Sequence, residues 1–116
     1  MNLEEFRDYC LEKKGVTEGF PFDNETLVFK VSGKIFALCG VENFDSINLK
    51  CDPELAVELR EQYDCVKPGY HMNKKHWNTI ELDGSVGVKK LKEWTDHSYD
   101  LVVGSLAKKE REKLSN

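Results

Sequence analysis

Between Thr26 and Cys51 the chain carries three short runs with the two-residue alternation of a β-strand, and only Ser32, Gly33 and Lys34 separate the first from the second. Leu27, Phe29 and Val31 alternate with Val28 and Lys30; Ile47, Leu49 and Cys51 alternate with Asn48 and Lys50. Segments this close in the chain pair as antiparallel neighbours, because a parallel connection needs a crossover of about a dozen residues or more. The spacing predicts strands over 26–31, 35–41 and 47–51, the first two joined by a tight Ser32–Gly33 hairpin. A sheet patterned in this way has one face to bury and one face left wet and available for binding.

Helical patterns flank these runs. Asn2 is placed to cap a helix reaching about Lys14, with Leu3, Phe6 and Cys10 on one side and Glu4, Glu5, Asp8 and Glu12 on the other. Residues 15–25 read as a loop in which Phe20 and Phe22 bracket Pro21 and fold back as a lid on the core. Asp52 followed by Pro53 starts a second helix, expected to reach Tyr63 with Leu55, Leu59 and Tyr63 as its buried stripe. A second strand pair is predicted over 66–72 and 77–82, with Asn73 to His76 at its tip. A helix from Val86 to about Gly104 and a short basic helix from Ala107 to Leu114 complete the chain. This order describes an α+β fold, an antiparallel sheet packed on helices. At 116 residues the chain suffices for one core and not two, so a single domain over 1–116 is expected.

Several function classes lose their footing here. No apolar run approaches the roughly 18 residues of a membrane helix, and the opening MNLEEFRDYC lacks the basic and apolar regions of a leader, so a cytoplasmic location is expected. Cys10, Cys39, Cys51 and Cys65 never take a C-x-x-C spacing, and without a leader they are read as reduced packing thiols. No nucleophile elbow, phosphate loop or zinc-protease motif occurs, so neither catalysis nor a cofactor is expected. His71 and His76, five apart, would face opposite ways on one regular strand, which argues against a shared metal. His97 reads as a packing residue of the long helix. The acidic row of the first helix could gather cations, although such rows are commonly just solvated faces.

The best candidate site is the stretch PGYHMNKKHWNTIELDG from Pro68 to Gly84. No acidic residue lies between Val66 and Ile80, while the whole chain has 21 Asp plus Glu against 17 Lys plus Arg. Lys74 and Lys75 at a tip can reach phosphate oxygens, Asn73 can meet base edges, and Tyr70, His76 or Trp77 can stack or wedge. Trp77 also fits a buried position, since Trp at the head of a strand normally hides its ring.

The PGYH to HWNT run, with FPF at Phe20 to Phe22, GKIFAL from Gly33, INLKCDPE from Ile47 and HSYDLVVGSLAKKER from His97, resembles the MmcQ/YjbR family. The resemblance implies a CyaY-like fold similar in layout to frataxin, no enzymatic activity, and DNA binding through a double-wing arrangement of hairpins. This chain departs from the family's pattern at Ala107, where proline is frequent. Carried onto the chain, the two wing tips are Ser32 to Lys34 and Asn73 to His76. Lys34, Lys74 and Lys75 would contact phosphates, Lys50 and Lys67 would flank them, and Asn73, His76 or Trp77 would supply groove contacts. The expected partner is double-stranded DNA, bound by a monomer. With a net charge of -4, binding is expected to be weak and salt-sensitive. The competing reading is a frataxin-like metal or protein-interaction scaffold using the acidic first helix or the exposed sheet face.

Overall fold

Asn2 accepts a hydrogen bond from the Glu5 amide while the Glu5 carboxylate accepts one from the Asn2 amide, and this capping box starts helix α1 (Leu3–Leu11). In the computed structural model, which describes residues 1–115, α1 is followed by β1 (Val16–Gly19), β2 (Thr26–Val31), β3 (Lys34–Gly40) and β4 (Ser46–Lys50). Then come α2 (Pro53–Gln62), β5 (Val66–Pro68), β6 (Trp77–Glu81), α3 (Val88–Ser105) and α4 (Lys108–Ser115). The strands form one six-stranded sheet in the order β1-β2-β3-β4-β6-β5, antiparallel at every pairing. The fold is α+β, as its hairpin spacing and flanking helices imply.

Helices cover one face of this sheet. Phe6 and Cys10 of α1, Ala56 and Leu59 of α2, and Leu91, Trp94 and Val102 of α3 join Leu27, Phe29, Val31, Ile47, Leu49 and Ile80 in one core cluster. The Phe6 ring meets Phe29 edge-on, with centroids 5.8 Å apart. Register slips between Phe29 and Lys30, which pair with Ala37 and Ile35, so Phe36 is an extra residue in β3. The bulge turns both Phe36 and Ala37 toward the helices, and both are fully buried. Ser98 of α3 closes the polar gap this creates: its hydroxyl donates to the Phe36 carbonyl and accepts from the Lys50 amide, 2.9 Å away.

Three expectations are corrected. Residues 16–19 form an edge strand rather than a loop: Val16 pairs with Val31 and packs on the core, and Arg7 of α1 clamps Glu18 with contacts of 2.6 to 3.1 Å. Gly15 and Gly19, which punctuate this segment, disguise so short a strand. The second strand pair is truncated: β5 ends at Pro68, a last bond runs from the Gly69 amide to the Trp77 carbonyl at 2.9 Å, and 69–76 is a loop in which His71 takes positive φ. Phe20 and Phe22 do not lie on the helix-side core; they are 48% and 64% exposed, and the segment carrying them faces the opposite side of the sheet.

Candidate functional site

Antiparallel pairing dictates where the basic residues emerge. β3 runs away from the Ser32–Gly33 turn, β4 returns toward it, and β6 runs away again, so the turn and the 69–76 loop leave the same end of the sheet. Ser32 and Gly33 both take positive φ, 49° and 78°, which is the two-residue turn that matches strand twist. Lys34 follows this turn, Lys50 ends β4 opposite Trp77, and Lys74 and Lys75 lie in the loop. These residues therefore lie at one end of the sheet, with Lys34 on the helix side by its pairing with Val31 and Lys50 on the helix-free side by its pairing with Trp77. Among the described residues none of these four lysines forms an ion pair with a carboxylate.

The remaining candidates divide. Lys67 lies on β5 within 3.9 Å of Glu81, so its charge is partly offset at this distance from the tips. Lys74 bends its ammonium onto the Gly69 carbonyl at 3.1 Å. Asn73 uses its side-chain oxygen to accept from the Lys75 amide, at 2.9 Å, and thereby shapes the loop. His76 is half-buried, and its carbonyl accepts from the Cys51 amide at 2.7 Å, prolonging the β4–β6 ladder. Trp77, an expected contact residue, is only 8% exposed: its ring lies in a second apolar cluster with Val28 and Leu38, flanked by Ile35 and Met72. It supports the loop from below instead of reaching a groove.

The loop is therefore pinned and does not project as a free wing. Gly69 crosses so close to Trp77 that a Cβ there would stand 2.7 Å from the Trp77 Cβ and 2.9 Å from its carbonyl oxygen. Arg60 of α2 reaches under it, donating to the buried Asn78 side chain at 2.7 Å and to the carbonyls of Lys74 and Trp77. His71 holds positive φ, 59°, and its ring lies 4.1 Å from that of Tyr70. Arg60 gave no sign of this role in the sequence, where it reads as one more charge on a helix.

Register lays a full row across the helix-free face: Gly19, Val28, Leu38, Asn48, Thr79 and Lys67. The row has an apolar middle and a polar flank. The Tyr70 amide donates to the Thr79 hydroxyl at 2.9 Å, and that hydroxyl donates to the Asn48 side-chain oxygen. Two open clefts meet here, one of about 460 Å³ bordered by Lys67 and Glu81, the other of about 520 Å³ bordered by Phe22, Leu38 and Met72; both include Asn48 and Tyr70. The polar alternation of Asn48 and Lys50 marked this face as wet, but only the β4–β6 register brings Asn48 opposite Thr79.

The thiols and carboxylates are placed differently. Burial pushes the Cys39 thiol up to about 12 and Cys51 to about 11, and it raises Cys10 further, so all three are protonated near neutrality. Glu5 of the acidic row is committed to the α1 capping box. Among the described residues no group of three His, Cys, Asp or Glu side chains converges as a metal site would require, and no helix is long and apolar enough to cross a membrane.

Comparison with known proteins agrees with this architecture along nearly the whole chain. The protein YjbR of Escherichia coli K12 is 36% identical over 115 residues, covering 98% of each chain. YbdF of Escherichia coli O157:H7 is 38% identical over 106 residues, 90% of this chain and 87% of that one. The crystal structure of the Deinococcus radiodurans protein DR2400, with a domain of the DUF419 family model, superposes with a TM-score of 0.93 at 40% identity, covering 98% of this chain and 88% of that one. A Pseudomonas syringae crystal structure follows at 0.72 and 32% identity, covering 87% of this chain and 98% of that one. The YjbR family model matches residues 11–101, and the chain belongs to the YjbR family.

Proposed function

We propose that this protein is a cytoplasmic, non-enzymatic module that binds double-stranded DNA as a monomer, through the end of the sheet where the Ser32–Gly33 turn and the 69–76 loop emerge together. The observation that carries this reading is electrostatic: Lys34, Lys50, Lys74 and Lys75 lie at one end of the sheet in an otherwise acidic molecule, and no carboxylate pairs with them among the described residues. Lysine ammonium groups on short, pinned segments suit phosphate oxygens, and pinning lowers the entropy lost on contact. The resemblance to a double-wing family supports the same surface. Net charge -4 keeps the affinity modest, because the rest of the surface repels a polyanion.

Fluorescence anisotropy of a labelled duplex at low salt tests it. Log affinity against log salt should fall with a slope of about -3 if roughly three phosphates are neutralised. The Lys74→Glu, Lys75→Glu double variant, folded by circular dichroism, should lose most of the binding; affinity equal to the parent's overturns the reading.

A further inference from the structure

We infer that the cleft beneath the Phe22 and Tyr70 rings takes an unpaired nucleobase carrying a phosphate, either as a free nucleotide or within a single strand. This rests on the nucleic-acid reading above and extends it from the lysine edge onto the helix-free face.

The walls of the cleft are aromatic. Phe22 and Tyr70 are 64% and 69% exposed, on loops that flank the same cavity of about 520 Å³ over Leu38 and Met72. Rings of this size are usually buried in a folded chain, and a base offers two π-faces on which such rings stack. The volume lies within the range of small-ligand sites.

The polar flank has a fixed direction. Thr79 takes the Tyr70 amide as donor and gives its own proton to the Asn48 side-chain oxygen. That leaves the Asn48 amide nitrogen to present its protons to the cleft, so the site offers donors beside a stacking surface. Such an edge selects a ring carbonyl or ring nitrogen. Charge then orients the phosphate. Asp23, in the cavity wall, accepts from the Glu25 and Thr26 amides, which holds its carboxyl below the usual range, so that side repels an anion. Lys67 borders the adjoining cleft together with Asp45 and Glu81; its 3.9 Å contact with Glu81 joins two half-exposed groups and is readily exchanged, and Lys74 and Lys75, on the same loop as Tyr70, supply the positive charge that those carboxylates offset.

Three ligands separate the possibilities: a labelled single strand of about twelve nucleotides, the matching duplex, and a nucleoside monophosphate followed by calorimetry. Tyr70→Ala and Asn48→Asp should each weaken single-strand binding about tenfold, Asn48→Asp while leaving duplex binding unchanged, and Tyr70→Phe should retain it. Lys74→Glu with Lys75→Glu should weaken both. Tyr70-dependent binding of the monophosphate assigns the cleft to a free nucleotide; binding of the single strand alone assigns it to a strand. Single-strand affinity unaffected by Tyr70→Ala and Asn48→Asp overturns the cleft inference and leaves the lysine edge standing. A parent that binds no ligand of the three removes both readings. A concentration-dependent dimer that Tyr70→Ala dissociates, seen by sedimentation, overturns the cleft inference in favour of a second copy as its occupant.

Discussion

The two faces of this sheet are built from alternate residues of the same strands, yet they are finished in opposite ways. On the helix side, Phe6, Phe29, Phe36 and Ile47 are fully buried, and the bulge at Phe36 is stitched to α3 by Ser98. On the other side a small cluster of Val28, Leu38 and Trp77 is half-roofed by a strained loop, with Phe22 and Tyr70 left in solvent. Stability resides on the first face, and the second is free to bind because little of the fold depends on it. Exposed aromatics beside lysines would be a liability on a surface that did nothing.

The comparison is sharpest under truncation. Phe6→Ala should cost about 3–5 kcal/mol in chemical denaturation, since it removes a ring packed on Phe29, whereas Tyr70→Ala should leave the midpoint nearly unchanged. Equal losses would erase the distinction between the faces. Arg60→Ala crosses from one face to the other. It strips a charged donor from buried Asn78 and from the carbonyls of Lys74 and Trp77, and should cost about 1.5–3 kcal/mol. Hydrogen exchange should then quicken in 69–77 before any other segment; uniform quickening would show that Arg60 does not anchor that loop.

Alkaline titration probes the helix side of the molecule. Folding raises Cys39 from 9.0 to about 12, Cys51 from 9.0 to about 11, and Tyr9 from 10.0 to about 12, chiefly through burial and, for Tyr9, also through its bond to Asp96. These raised values contribute stability that is intact below pH 9 and is lost as pH climbs from 9 toward 12. Thermal midpoints should fall over that window, and Cys39→Ala should make the fall shallower; a flat profile would contradict the burial of these groups. The smallest effect is expected at the rim, where Arg7→Ala removes an exposed clamp on Glu18 and should cost no more than about 1 kcal/mol.

Alternation and capping made the covered face readable in advance. Leu27, Phe29 and Val31, the Asn2 and Asp52 caps and the Ser32–Gly33 turn each express a local rule, and each element formed where that rule placed it. The open face was not legible in the same way. Its features depend on register and on approaches between distant segments: Asn48 opposite Thr79, Gly69 against Trp77, Arg60 beneath Lys74. The 66–72 segment shows why, since its strand-like pattern gives way after Pro68, where Gly69 closes on Trp77, His71 takes positive φ and the chain folds over the Trp77 ring. Lysine spacing in the sequence located a basic island, the family resemblance added Lys34 and Lys50 to it, and antiparallel topology puts them at the same end of the sheet.

Nitrogen-15 amide spectra recorded while a DNA duplex is titrated in at low salt examine the binding surface most directly. The expected result is shifts confined to 32–34, Lys50 and 69–77, fading as salt is raised. Shifts centred on α1 and its acidic row, or none anywhere, would contradict the assignment of binding to this edge of the sheet.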